Sequence, residues 1–182
     1  METTHKTASK AKYTENDSLL EEFFLDELKD IYWAEKSLID ALATLEKEAN
    51  TSKLKEAFHS HAEVTEKQIS RLEEVFSILG EEPQAVKCEA MAGLIDESET
   101  IINDTDEGTA TRDVGLIMAA QKVEHYEIAT YGGLAQIAKT LELDDIVDLL
   151  ELTLSEEKEA DELLSQIARN DINYQSSREQ NK

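Results

Sequence analysis

The sequence predicts an all-α protein, an antiparallel four-helix bundle with a long crossover that carries a short extra helix. Three observations predict it. Helix formers dominate a chain of 182 residues with only 1 Pro and 6 Gly. Apolar residues recur at three and four over four long stretches, the helical period. The breaks between those stretches are short, short, and long, as two hairpins joined by one crossover require. Aromatics make up 5% of the chain, too few for a sandwich or barrel.

Residues 1–17 are polar and aperiodic and read as a flexible tail. Ser18 followed by Glu21 is a capping box that opens the first helix, which runs to about Ala49. Its apolar stripe passes through Phe24, Leu28, Ile31, Leu38, Leu42 and Leu45. Asn50-Thr51-Ser52 breaks the pattern, and a second helix follows to Leu79, where Gly80 and then Pro83 stop it. A shorter helix spans about Val86 to Ile102, with Cys88 as a buried, inert thiol. An acidic loop then leads to a long helix from about Arg112 to Thr140. The last helix runs from about Asp144, as N-cap, to Ala168. The domain therefore occupies residues 18–169, and residues 170–182 read as a polar tail.

Charge narrows the function. With 41 Asp+Glu against 18 Lys+Arg the net charge is −23, which repels phosphate backbones and anionic lipid heads. Nucleic-acid and membrane partners are not expected. No apolar run reaches the roughly 18 residues needed to span a bilayer, and the N-terminus lacks the apolar core of a signal peptide. A cytoplasmic location is expected. One cysteine can form neither an intramolecular disulfide nor a Cys-based zinc site. Phosphate-loop, dinucleotide, serine-hydrolase and HExxH motifs do not occur in the sequence.

The informative residues are polar ones on the apolar stripes. Glu35 stands mid-stripe in the first helix. His61, Thr65 and Gln68 stand in the second. Glu124, flanked one turn on by Glu127, stands with Gln121 and Tyr131 in the fourth. Glu157 and, less centrally, Asp161 stand in the last. Glu35 and Thr65 are equally far from the first turn, and Glu127 and Glu157 equally far from the second. At the helical rise all four levels lie roughly 22 Å from their loops. Carboxylates from several helices thus share one layer, and no Lys or Arg is expected on the stripes near it. Buried charges need protons, cations or metal to offset them. Oxygen and imidazole ligands suit iron or manganese, as in di-iron and di-manganese bundles. The alternative is a metal-free helical scaffold or interaction protein whose inward acids are protonated or hydrated. His125 is a surface candidate beside the stripe, and His59 points outward. Trp33 and Phe23, off the main stripe, offer apolar surface to a partner.

Five segments carry a resemblance: FLDELKDIYWAEK (24–36), SHAEVT (60–65) with Gln68, VKCEAM (86–91), AAQKVEHYEIATY (119–131) and EEKEAD (156–161). Together they resemble the YciE/YciF family of bacterial stress proteins, most closely its YciF branch, over roughly residues 18–170. The resemblance implies a ferritin-like cytoplasmic bacterial protein, homodimers, and a dinuclear site for iron or manganese. It implies no settled enzymatic activity. Its metal residues carry over as Glu35, His61, Glu124, Glu127, Glu157 and Asp161. Relatives often have Glu where this chain has Val64, which leaves His61 and Gln68 as the contribution of the second helix. Glu63 is adjacent but points away from the stripe.

Overall fold

A computed structural model describes residues 18–180; the tail expected over residues 1–17 lies outside the described residues. Six α-helices follow in order: α1 (Leu19–Glu48), α2 (Ser52–Leu79), α3 (Glu89–Asp104), α4 (Ala110–Thr140), α5 (Asp144–Ile167) and α6 (Asn173–Ser176), the last joined to α5 by a π-helical turn (Ala168–Ile172). No strand occurs among the described residues.

Both expected helix hairpins form. The capping box opens α1, with Ser18 Oγ accepting from the Glu21 N–H and the Glu21 carboxylate accepting from the Ser18 N–H. Gly80 closes α2 at φ 72°, a left-handed position that suits glycine. The second turn uses Glu142 at φ 60° for the same purpose. There Leu143 is the N-cap of α5 and provides no side-chain cap. Asp144, expected as the cap, lies inside the first turn with Asp145. Their charges there still complement the helix dipole.

α1 packs on α2, α4 packs on α5, and the hairpins meet through α1–α4 and α2–α5 contacts. The N-terminus of α4 meets the α1–α2 turn: the Asn50 and Thr51 N–H groups donate to Asp113 at 2.7 and 3.0 Å. Arg112 bonds Glu48 at 2.6 Å. The crossover therefore runs the length of the bundle, and α4 is parallel to α2. The core is apolar at both ends, with Leu28, Leu54, Val75, Leu116 and Ile146 among its fully buried residues.

The crossover departs from the sequence expectation at one end. Val86 to Lys87 is not helical; the Val86 N–H donates to the Lys29 carbonyl at 3.1 Å and holds the segment against α1. Cys88 is buried as expected, but it is the N-cap of α3, its Sγ accepting from the Met91 N–H at 3.3 Å. Propensity alone did not reveal this tertiary hold. α3 then approaches α4 closely at Gly115, where a Cβ would lie 2.5 Å from the Ile101 side chain.

The segment from 170, expected as a polar tail, continues as the π-turn and α6 and packs on α4. Ile172 is buried there, and Glu179 accepts from the Ala110 and Thr111 N–H groups at the start of α4. Ile172 is one apolar residue in a polar run, too weak a signal for a periodicity reading. Phe23 is exposed as expected, whereas Trp33 is partly buried against the core. Among the described residues no helix is long and apolar enough to cross a membrane.

Candidate metal centre

Each helix brings polar residues to the middle of the bundle because the apolar residues around them leave no other way to turn. Ile31 and Leu38 bury the α1 stripe on either side of Glu35. Phe58 and Leu72 bracket His61, Thr65 and Gln68 on α2. Ala120, Val123 and Tyr131 frame Glu124 and Glu127 on α4, and Leu150 and Leu164 frame Glu157 on α5. Glu35, Glu127 and Glu157 are fully buried, Glu124 is 2% exposed and His61 9%.

Four of these groups converge. His61, Glu124, Glu127 and Glu157 each present a ligand atom, and those atoms all lie within 4.8 Å of one another. His61 Nε2 is 3.4 Å from Glu124 Oε1 and 3.7 Å from Glu157 Oε2. Glu35 adjoins the group: its charge bears on Glu127, and Glu157 bears on it in turn. The Tyr131 hydroxyl donates to Glu35, and the Gln68 amide donates to Glu157. Asp161 lies outside the four-residue group. It is about a quarter exposed, accepts from the Gln121 amide at 3.0 Å, and pairs with the exposed His125 at 3.5 Å. Glu63 points outward beside His59, as its helical phase requires.

The electrostatics are those of acids held away from water. Burial pushes Glu35, Glu124 and Glu127 well above the usual carboxylate range, and their mutual repulsion pushes further. Burial also lifts Glu157, to about 7, against the hydrogen bonds that hold it down. Burial lowers His61 to about 4, so its imidazole is neutral and offers a lone pair.

Sequence reasoning missed one cation. Arg71 donates to Glu156 at 2.9 and 3.1 Å and to Thr153, and its charge reaches Glu35 and Glu157. It stands beside the α2 stripe rather than on it, and a long side chain carries its charge to the α2–α5 seam. Arg71 directs its hydrogen bonds to Glu156 and Thr153, so it offsets the central acids only from a distance. Glu124 and Glu157 hydrogen-bond each other, whereas Glu35 Oε2, His61 Nε2 and both Glu127 oxygens are buried without a hydrogen-bond partner. Native proteins rarely leave such atoms unpaired. One imidazole and three carboxylates are a donor set for a hard or borderline divalent cation, and no thiolate belongs to the group. The residues fit a metal.

Comparison with known proteins agrees with this architecture. Protein YciF of Escherichia coli (strain K12) is 44% identical over 159 residues, which cover 87% of this chain and 95% of that one. The crystal structure of that organism's stress protein YciF superposes with a TM-score of 0.82 at 43% identity, covering 86% of this chain and 99% of the other. The YcfI protein of Rhodopseudomonas palustris superposes with a TM-score of 0.78 at 40% identity, covering 85% and 98%. The family described as Domain of unknown function (DUF892) matches residues 19–177, from the first turn of α1 to the end of α6. A helical bundle of this order, matched along nearly its whole length, belongs to the DUF892 family, alongside YciF.

Proposed function

We propose that the chain is a metal-carboxylate protein of the ferritin-like type, binding iron or manganese through His61, Glu124, Glu127 and Glu157, with Glu35 completing the site toward α1. The observation that carries this reading is the set of buried ligand atoms within 4.8 Å of one another, those of His61 Nε2 and Glu127 without a hydrogen-bond partner. Ionised, these acids repel one another in a dry core; a divalent cation turns that repulsion into attraction. When bound, such an ion supplies Lewis-acid and one-electron redox capacity. The chain supplies the rest. His61 donates a neutral nitrogen, the carboxylates neutralise the ion, and Tyr131 and Gln68 orient Glu35 and Glu157. Asp161 is a supporting residue at the margin of Glu124, whose proton affinity it raises. The description of the Escherichia coli relative as a stress protein directs the role toward oxidant or iron handling under stress.

Protein purified without chelator should contain roughly one to two iron or manganese ions per chain. Elemental analysis that finds none, even after reconstitution under reducing conditions, rejects the reading.

The second reading is a metal-free scaffold. The raised proton affinities of Glu35, Glu124 and Glu127 favour it, since neutral acids can remain in the core. In that case changing Glu35 and Glu124 together to Gln preserves stability in every buffer. In a metal protein the same change abolishes the stabilisation that added metal gives.

A further inference from the structure

A cavity of about 310 Å³ opens between α2 and α5 and ends on the metal-centre residues His61 and Glu124. Burial orders its wall. Ser60 and Glu159 are exposed and form the mouth, whereas His61 and Glu124 are buried and form the floor. Leu163, also exposed, flanks the mouth, and between mouth and floor the wall is apolar: Ala57, Phe58, Val64, Ala160 and Leu164. Glu156, also at the wall, is already held by Arg71.

His61 and Glu124 make the inner end of the pocket its polar end; His61 keeps 9% of its surface, while His61 Nε2 and Glu124 Oε2 are themselves buried toward the centre. Val64 is the decisive side chain. It stands one turn from His61 and half-buried on the wall, where a carboxylate would have added another charge and closed the apolar path. The volume falls at the small end of the range for ligand pockets, and a mostly apolar wall with few polar groups is their usual composition.

We infer that this pocket admits a small neutral molecule, with an apolar body and one polar head, to the His61–Glu124 side of the centre. The inference rests on the metal reading for what the head meets. The fit of the body rests on the pocket alone. The apolar wall offers an anion no counter-charge, and the acidic residues at the mouth and floor repel it. An uncharged body gains by leaving water, and a hydroxyl-type head is directed to the polar inner end, where His61 keeps some of its surface.

The test is a fluorine NMR titration of the full chain with 4-fluorobenzyl alcohol, with 4-fluorobenzoate as the anionic control. Both are run on chelator-treated and zinc-loaded protein. The alcohol should bind saturably and the benzoate more weakly. Val64→Phe and Ala160→Phe, which fill the pocket from partly exposed positions, should each weaken the alcohol at least about tenfold. Circular dichroism establishes that each variant folds; should one fail, Leu163→Trp, at a residue 45% exposed, blocks the mouth instead. Absence of saturable binding, equal binding by the filled variants, or tighter binding of benzoate each overturns the inference. So does a native chain that ignores the probe but loses self-association on filling, because a second copy would then occupy the groove. Zinc content is measured separately. A chain that takes up neither zinc nor, on reconstitution, iron or manganese yet binds the alcohol removes the metal reading and leaves the pocket standing.

Discussion

The Tyr131 hydroxyl donates a hydrogen bond to the Glu35 carboxylate in the centre of the bundle, joining α4 to α1 at the level of the acidic layer. Both residues are fully buried, and the second Glu35 oxygen has no partner. Tyr131→Phe removes the donor while keeping the ring, so Glu35 is left with neither oxygen paired. The expected loss in metal-free protein is about 1–3 kcal/mol in urea unfolding. Paired with Glu35→Gln in a double-mutant cycle, the two changes should be non-additive by about 0.5–3 kcal/mol. Additive effects would mean that the hydroxyl does not hold the carboxylate in solution.

The proton affinities set a pH dependence with a definite sign. In the unfolded chain the four acids ionise near the ordinary carboxylate value, whereas in the fold burial raises Glu157 to about 7 and raises Glu35, Glu124 and Glu127 well above that ordinary value. The folded state therefore binds more protons over this interval. Their contribution to stability is complete below the unfolded value and is lost as pH rises through the folded ones. His61, lowered to about 4, works the other way between its ordinary value and 4, but it is one group against four. Chelator-treated protein should lose thermal stability steadily from about pH 5 to 8. Glu124→Gln with Glu127→Gln should flatten the slope. A midpoint that rises over that interval, or a slope unchanged in the double variant, contradicts the assignment.

On the metal reading, added metal should reverse the trend, because the ion competes with the same protons. At pH 7 saturating manganese or ferrous iron should raise the midpoint of the native chain, and more so at pH 8. Glu127→Gln removes the ionisable group of a residue with two unpartnered oxygens. It should stabilise the metal-free form and reduce the shift on adding metal. Secondary partners in this family of effects typically alter affinity 10–100-fold, and a direct ligand should cost at least about that much. Isothermal titration at matched pH measures it; equal affinities in the two proteins would exclude Glu127 from the ligand set.

The bundle was legible because its signals are local and repeated. Ser18 with Glu21, Gly80 after Leu79, and stripes of three-and-four spacing each report backbone geometry within one turn. The inward acids were legible for the same reason, and equal distances from the two hairpin turns placed Glu35, Glu127 and Glu157 in one layer. Glu127 is a full member rather than a flank because the buried face of a helix is wide enough for residues three apart. What escaped depends on contacts between distant segments. The Lys29 carbonyl fixes the crossover before α3, and Ile172 draws the C-terminal segment onto the bundle. Arg71 escaped because its Cα lies off the stripe while its guanidinium does not.

Asp113 determines how α2 and α4 are aligned. Its two oxygens accept from the Asn50 and Thr51 N–H groups, and it is fully buried at the start of α4. Thr51, the N-cap of α2, makes no side-chain cap of its own, so Asp113 satisfies the α2 N-terminus from another helix. The helices run parallel from this junction, and His61 and Glu124 each lie eleven residues beyond it. At the helical rise both reach the same level, roughly 16 Å along the bundle, where their side chains meet at 3.4 Å. Asp113→Ala should cost about 1–3 kcal/mol and leave two donors unpaired. Amide exchange should speed at Asn50, Thr51 and the first turn of α2, while Leu143 and the first turn of α5 stay protected. Because the junction is the fixed point of the His61–Glu124 alignment, the variant should also hold metal less tightly despite an intact ligand set. Unchanged affinity with the expected exchange pattern would show that packing around Phe58 and Val123, not the helix ends, sets the register.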